Sequence, residues 1–219
     1  MERHFDDELK ELRQKLLQMA DTAQEMIGLA IKALVERKKD LTDRVFTLED
    51  TVNHTEVEIE EEVLRLMALR QPIARDLRLL TAVLKINNDL ERVADQAVNI
   101  SETVVFLLKE PPLKPLIDIP QMALLAQKMI KNSLEAFVRE DSKLAHQVCG
   151  DDDEVDRLND QLFRELLTYM IQDPKNITRS LDLILISRNL ERIADHATNI
   201  SEDVIFIVEG KNIKHHILE

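Results

Sequence analysis

The sequence predicts an all-α fold, a tandem repeat of two elongated three-helix bundles with six helices in total. Three observations lead to this prediction. Only 3 Gly and 6 Pro interrupt the 219 residues, which is too few for the frequent turns that strands require. Apolar residues recur at alternating spacings of three and four, as they do on one face of an α-helix. The second half of the chain also repeats the organisation of the first.

The first half contains three helical patterns, at about residues 6–37, 41–70 and 74–109, with Gln71-Pro72 separating the last two. Each pattern places apolar residues along one stripe. The stripe of the first consists of Leu9, Leu12, Leu16, Met19, Ala23, Ile27, Ala30 and Leu34. That of the second consists of Val45, Leu48, Val52, Ile59, Val63 and Leu66. That of the third consists of Leu77, Leu80, Leu84, Leu90, Ala94, Ala97 and Val104.

A cluster of prolines at residues 111–120 separates the two halves and predicts a linker. The first repeat is therefore expected at residues 1–110 and the second at 121–219. Three further helical patterns follow the linker, at about residues 121–138, 151–171 and 177–208, and Asp173-Pro174 separates the last two.

The internal match is clearest in the third helix of each half. When the sequence is shifted by 100 residues, LERVADQAVNISETVVFL (90–107) lies on LERIADHATNISEDVIFI (190–207), with 12 of 18 positions identical. Three of the remaining positions only exchange Val or Leu for Ile. We infer a duplicated three-helix unit, and helices of about 30 residues would make each bundle roughly 45 Å long.

Composition limits the possible functions. The formal net charge of −13 repels phosphate backbones, so we expect no direct nucleic acid binding, whereas cations or a basic partner surface would suit it. The single cysteine, Cys149, excludes a disulfide within the chain and fits a reducing compartment. No apolar run approaches the roughly 20 residues of a membrane span. We therefore expect a cytoplasmic protein that meets membranes only through partners.

The repeated helix carries a column of oxygen-bearing side chains beside its apolar face. At 100° per residue, Val93, Ala94, Ala97, Ser101 and Val104 fall on the same side as Leu90, which is the predicted core face. The flanking column consists of Glu91, Asp95, Asn99 and Glu102, and its copy consists of Glu191, Asp195, Asn199 and Glu202.

Two explanations of these columns stay open from spacing alone. Like charges at i and i+4 weaken a helix by a few tenths of a kcal/mol, so a column kept in both repeats suggests a function. Hard cations prefer carboxylate and carbonyl oxygens, which makes a metal site one explanation. Neutralisation by Arg92, Arg192 or basic residues on neighbouring helices is the other.

The second helix of each half offers a matching pair. Glu49 and Asn53 are four residues apart, and Asp152 and Asp156 occupy the same places in the second repeat. If the second and third helices are neighbours, these pairs could face the columns and complete two sites. An acidic helix N-terminus is an alternative explanation for residues 151–153, because carboxylates are favoured at that end of the helix dipole.

The sequence also resembles the PhoU family of phosphate-transport regulators. The resemblance rests on RHFDDELKEL (3–12), RQPIARDLR (70–78), LERVAD (90–95) and LERIADHATNISE (190–202). It covers nearly the whole chain, in order, within a duplicated frame.

The resemblance implies a fold of two three-helix bundles with a multinuclear metal site in each repeat. Iron, zinc, magnesium and manganese are the metals it implies. The ligand candidates transferred by position are Glu91 and Asp95 with Glu49, and Glu191 and Asp195 with Asp152 and Asp156. Asn53 departs from the family motif by offering an amide, and Asn99 and Asn199 are additional candidates. The two sites therefore need not be equivalent.

The resemblance further implies a negative regulator of the phosphate-starvation response. Such a protein works with the ATPase subunit of the phosphate ABC transporter and with a membrane sensor histidine kinase, and we also expect a homodimer. We expect no enzymatic activity, because no catalytic nucleophile or phosphate-binding loop is evident. Two alternatives stay open, a metal-dependent phosphohydrolase and a purely structural helical scaffold.

Overall fold

The computed structural model describes residues 2–211, and their side chains from Phe5 onward. The last eight residues of the predicted second repeat, 212–219, and Met1 lie outside the described part. Within it, the chain forms six long α-helices and no strand. Their bounds are α1 Glu2–Glu36, α2 Lys39–Arg70, α3 Ala74–Leu107, α4 Asp118–Arg139, α5 Ser142–Gln172 and α6 Ile177–Glu209. A short 3₁₀ turn, Pro174–Asn176, precedes α6. The predicted all-α fold is confirmed.

Helix α5 differs most from its prediction, because it begins at Ser142 rather than near residue 151. Asp141 caps it, and its Oδ1 accepts hydrogen bonds from the backbone N–H groups of Lys143 and Leu144 at 3.0 and 3.1 Å. The acidic run at 151–153 thus lies inside a helix. The explanation of this run as an acidic helix N-terminus is therefore wrong.

Helix α4 also begins early, at Asp118, inside the predicted linker of 111–120. Pro120 lies in its first turn, where a missing N–H costs no helical hydrogen bond. The rest of the connection is held in place. Lys114 is buried and pairs with Asp118 at 3.2 Å and with Glu165, while Arg37 donates to the carbonyls of residues 108 and 110.

The apolar stripes predicted from spacing form the core, with one clear exception. Leu12, Leu16, Ile59 and Leu90 are fully buried, but Leu77 is 45% exposed. Leu77 lies in the first turn of α3, close to the helix end, where fewer neighbouring elements cover the stripe. The core is continuous across the two repeats.

The two bundles pack against each other through their first and third helices. Within each bundle the three helices contact one another, and α3 packs on α6 while α1 packs on α4. Both inter-repeat pairs are antiparallel. On α3 and α6, Lys85 pairs with Asp203 while Asp89 pairs with His196, so that numbers rise on one helix as they fall on the other. Helices α2 and α5 therefore cover the outside of their own repeats.

No helix in the described part of the chain combines the length and the apolar character that a membrane crossing demands.

Candidate metal centres

The edge of the buried face of α3 carries the first predicted column. The core-facing positions are all buried, namely Leu90, Val93, Ala94, Ala97, Ser101 and Val104. Beside them, Glu91 and Asp95 are half-buried, while Asn99 and Glu102 are exposed. The helical periodicity of the sequence thus placed the column correctly, at the border between core and solvent.

Helix α2 brings Glu49 to this column. Burial raises the pKa of Glu49, and the negative charges of Asp95 and Glu102 on α3 raise it further. Burial likewise raises the pKa of Glu91, with Asp95 adding to the effect and Arg92 opposing it. Glu49 and the α3 column therefore form one group of mutually repelling carboxylates across the packed α2–α3 pair.

Arg92 partly neutralises this first group. Its Nη1 lies 3.2 Å from Asp95 Oδ2, and its Nε lies 3.4 Å from Glu91 Oε2. The Arg92 side chain is 53% exposed, so these contacts are weak surface ion pairs that a cation could displace at little cost. For the first column, the explanation by neutralisation thus has direct structural support.

The second group, between α5 and α6, is more strongly perturbed. The pKa of Asp152 rises from 3.8 to about 6, chiefly through burial and then through Asp156, Asp195 and Glu191. The Oδ1 atom of Asp152 is buried and has no hydrogen-bond partner within residues 5–211. A buried carboxylate oxygen without a donor is costly, so this atom is the clearest opening for a cation.

Glu191 and Asp195 belong to the same group. Burial raises the pKa of Glu191, and Asp156 is the largest charged contributor, ahead of Asp195. Burial around the carboxyl also raises the pKa of Asp195, again with Asp156 as the next cause, although the residue as a whole is exposed. Asp156 lies exposed on α5, so the group opens to solvent.

The second group lacks the neutralising arginine of the first. Within the described residues, no lysine or arginine forms an ion pair with Asp152, Asp156, Glu191 or Asp195, whereas Arg92 does so in the first repeat. The equivalent Arg192 is exposed. Without an ion pair to the group, it opposes the rise in the pKa of Glu191 after Arg188, and the rise in the pKa of Asp195 after His196. The two groups therefore differ in their charge environment, through the ion pairs of Arg92 in the first repeat. The unequal metal sites expected from Asn53 stay a prediction.

A short hydrogen-bond chain fixes Glu191. Asn159 Nδ2 on α5 donates to Glu191 Oε2 at 3.0 Å, and Ser187 Oγ donates to Asn159 Oδ1 at 2.8 Å. The amide thus ties α5 to α6 beside the acidic group and leaves Glu191 Oε1 available. Such outer contacts orient a carboxylate for a ligand.

The donor chemistry fits a hard cation, but the side chains do not yet converge on one point. No three His, Cys, Asp or Glu side chains between residues 5 and 211 are arranged to hold a metal ion. Rotation of exposed carboxylates such as Asp156 and Asp195 would be needed to close a site around Asp152. The proximity, burial and unpaired oxygen are in place, whereas the coordination geometry is not.

The three predicted asparagine ligands have different positions. Asn53 and Asn99 are exposed at the surface. Asn199 lies in the α3–α6 interface, where its Nδ2 donates to Asp89 Oδ1 at 3.3 Å. The structure therefore gives Asn199 a contact to the other repeat, next to the column rather than within the carboxylate group.

Sequence reasoning missed a polar cluster between α3 and α6. His196 Nδ1 lies 2.8 Å from Asp89 Oδ1, and Lys85 Nζ lies 3.1 Å from the buried Asp203 Oδ1. A signal was present in the repeat itself. His196 and Asp203 occupy two of the three positions where the 18-residue match exchanges residues of different character, opposite Gln96 and Thr103. Each copy of the repeated helix contacts the other copy, so a substitution at this interface changes the surroundings of its partner. The two copies can therefore differ in sequence at such positions.

Cys149 on α5 is no reactive thiol. Burial raises its pKa to about 11, and the charges of Glu202 and Asp152 add to the shift. At neutral pH the thiol stays protonated, and it is therefore a poor nucleophile and a poor metal ligand.

Comparisons with known proteins agree with the duplicated fold. The family model of the PhoU domain matches the chain twice, over residues 16–104 and 119–204. A phosphate-specific transport system accessory protein PhoU homolog of Aquifex aeolicus is 43% identical over 213 residues, 97% of this chain and 96% of the relative. A homolog with the same name from Pseudomonas aeruginosa is 38% identical and is matched over 88% of its length, covering 96% of this chain.

Two solved structures have the same architecture. The crystal structure of PhoU from Pseudomonas aeruginosa superposes with a TM-score of 0.91 at 38% identity, covering 94% of this chain and all of that one. The phosphate transport system regulatory protein PhoU from Streptococcus pneumoniae gives a TM-score of 0.88 at 26% identity, covering 96% of this chain and 99% of that one.

Proposed function

The chain belongs to the PhoU family, and from this premise we propose that it is a cytoplasmic, metal-binding negative regulator of phosphate uptake and phosphate-starvation signalling. An accessory role in phosphate transport follows from the family. The finer steps are our proposal. They comprise binding of divalent or trivalent metal ions, contact with the ATPase subunit of the phosphate ABC transporter, contact with a sensor histidine kinase, and assembly as a homodimer.

The observation that carries the metal proposal is the group of four carboxylates between α5 and α6. Asp152, Asp156, Glu191 and Asp195 repel one another, and the buried Oδ1 of Asp152 accepts no hydrogen bond from any side chain or backbone group that the structure describes. A metal ion would supply positive charge shared between two helices. These four residues would hold it, while Asn159 keeps Glu191 oriented.

The second repeat is the stronger site in this proposal. Glu49, Glu91 and Asp95 would hold an ion in the first repeat, but Arg92 must first give up its contacts with Glu91 and Asp95. We therefore expect unequal occupancy, with the site of the second repeat filled at lower metal concentration.

Metal analysis of the purified full-length protein tests this order. The double variant Glu191→Gln/Asp195→Asn should lose more bound metal than Glu91→Gln/Asp95→Asn. Glu60→Gln/Glu61→Gln is the matched control, since it removes two exposed charges from α2. Equal metal content in all four proteins would overturn the assignment of both columns.

Pull-down with the two expected partners tests the adaptor role. The wild-type protein should retain the ATPase subunit and the cytoplasmic part of the kinase, each measured with and without added metal. Failure to retain either partner under both conditions would refute the adaptor role and leave the metal sites to be judged on the metal analysis.

The accessory role of the relatives points to a non-catalytic protein. A metal-dependent phosphohydrolase has no observation in its favour beyond the two groups of carboxylates. The purely structural alternative is favoured only for the first column, by the Arg92 ion pairs.

A further inference from the structure

A cluster of arginines lies where the start of α3 meets α1 and the end of α4. Arg13 on α1 donates from Nη2 to Glu140 Oε1 at 3.3 Å, and Arg75 on α3 donates to the other oxygen of the same carboxylate. Glu140 follows the last residue of α4. One carboxylate from the second repeat thus bridges two guanidinium groups from the first.

The parts of this cluster are held in place. The guanidinium of Arg13 lies 5.6 Å from the centre of the Phe137 ring, and Phe137 is buried. Such stacking fixes the plane of a guanidinium and therefore the direction of its donors. Glu140 is positioned by the end of α4, where it adopts a left-handed conformation with φ of 53° and its N–H binds Ala136 O.

The cluster has more donors than its carboxylate can satisfy. Arg78 follows Arg75 by one helical turn, so both side chains leave the same side of α3. Within the described residues, Arg78 forms no ion pair, and the Nε atoms of both Arg13 and Arg78 are buried without an acceptor. Each guanidinium carries five N–H groups. Two guanidinium groups on one carboxylate, with a third one turn away, leave an excess of positive charge in a chain of net charge −13.

We propose that Arg13, Arg75 and Arg78 bind a tetrahedral oxyanion, inorganic phosphate, in place of the Glu140 carboxylate. Phosphate offers more oxygens and more negative charge than a carboxylate, and guanidinium groups bind both in the same two-pronged geometry. In the present structure Glu140 occupies the oxyanion position as an internal substitute. Displacing it would break a contact between the two repeats and so couple phosphate to the packing of α1 and α3 against α4.

This inference extends the proposed regulatory function by giving it a direct phosphate input, at a site separate from the metal-binding columns. Glu140 belongs to the same chain and is held at the site by the end of α4, so it competes intramolecularly with phosphate. The wild-type site is therefore expected to bind phosphate more weakly than the same arginines would without Glu140.

Titration calorimetry of the full-length protein with inorganic phosphate, at constant ionic strength in chloride, tests the proposal. Arg75→Gln should weaken binding about tenfold, the loss expected for one charge-assisted contact. Because the Arg75 side chain is 66% exposed, this variant should fold normally even if Arg13→Gln or Arg78→Gln does not. Glu140→Gln should strengthen binding, since it removes the competing charge. Sulfate should compete with phosphate, because it is also a tetrahedral oxyanion that presents the same arrangement of oxygen acceptors.

Matched variants and chelation separate this site from the metal sites. Arg44→Gln and Glu25→Gln break another Arg–Glu pair, at 2.9 Å between α2 and α1, and should leave phosphate binding unchanged. Binding that disappears on chelation and ignores Arg75→Gln would place phosphate on a metal and overturn the proposal. Absence of saturable binding would overturn it as well, while the metal analysis and the pull-down would still stand.

Discussion

Replacing Asp152 by Asn should stabilise the metal-free protein near neutral pH. The pKa of Asp152 lies near 6 in the folded protein instead of 3.8, because of burial and four neighbouring carboxylates. In the unfolded chain the carboxyl loses its proton at its ordinary pKa. Between these two values the folded state holds more protons than the unfolded state, so stability falls as pH rises from about 4 to about 6. The neutral amide of the Asp152→Asn variant would carry no such penalty.

The size of the effect follows from the shift. One pKa unit corresponds to about 1.4 kcal/mol, which makes roughly 3 kcal/mol an upper bound for Asp152. The group opens to solvent at Asp156, and water screens part of the repulsion. We therefore expect Asp152→Asn to raise the free energy of unfolding by about 1–2 kcal/mol at pH 7, which is a rise in Tm of about 3–6 °C.

Thermal unfolding in the presence of a chelator measures this effect at pH 7 and pH 4. The gain should be largest at pH 7 and nearly absent at pH 4, where the wild-type carboxyl is neutral in the folded protein. Asp160→Asn is the control, because Asp160 is an exposed aspartate two turns further along α5. Saturating metal should reverse the order of the two Tm values at pH 7, since the wild-type protein keeps all four carboxylates and Asp152→Asn does not.

A destabilised or unchanged Asp152→Asn variant at pH 7 under chelation would refute the reasoning. Such a result would mean that the negative charge of Asp152 is already neutralised in the folded state. The carboxylates of the second group would then not repel one another strongly enough to favour a bound cation.

Three further predictions concern contacts that hold the helices. Asp141→Ala removes the cap of α5 and should lower stability by about 1 kcal/mol in urea unfolding, whereas Asp141→Ser should restore most of the loss. Lys114→Met leaves the carboxylates of Asp118 and Glu165 without their buried partner and should lower the free energy of unfolding by about 3 kcal/mol. A Tm within 2 °C of wild type, which corresponds to a loss of about 1 kcal/mol or less, would contradict this prediction. Asp89→Ala removes the acceptor of two donors on α6 and should lower the free energy of unfolding, measured in urea, by about 1–3 kcal/mol. The exposed substitution Asp160→Asn is the comparison.

Most of the fold was predictable because it is written in local periodicity. The apolar spacing of three and four located all six helices, and the self-match of 90–107 with 190–207 predicted the duplication that the family model also matches twice. The family motifs predicted the relationship that the comparisons confirm. Helix starts were harder to predict. Helix α5 begins earlier than its apolar spacing predicts, because Asp141 caps it. Capping depends on one side-chain contact and does not appear in the spacing of apolar residues.

The candidate site was predictable only in part. The spacing placed Glu91 and Glu191 beside the core, and the pairing of α2 with α3 and of α5 with α6 brought Glu49 and Asp152 near them. The assignment of all ten residues as metal ligands stays a prediction. Nothing in the sequence distinguished Arg92, which contacts its column, from Arg192, which does not. Such a difference is set by side-chain rotamers, which respond to neighbours on other helices.

The sequence by itself determined the helices, the duplicated frame and the position of each acidic column, because these depend on residues within a few turns of one another. Only the tertiary structure decided how the two repeats meet. The antiparallel pairs α3–α6 and α1–α4 join residues more than 100 positions apart, such as Asp89 with His196 and Arg13 with Glu140. Contacts at that separation form when a face of one bundle packs on a face of the other. The spacing of residues along the chain does not indicate which faces meet.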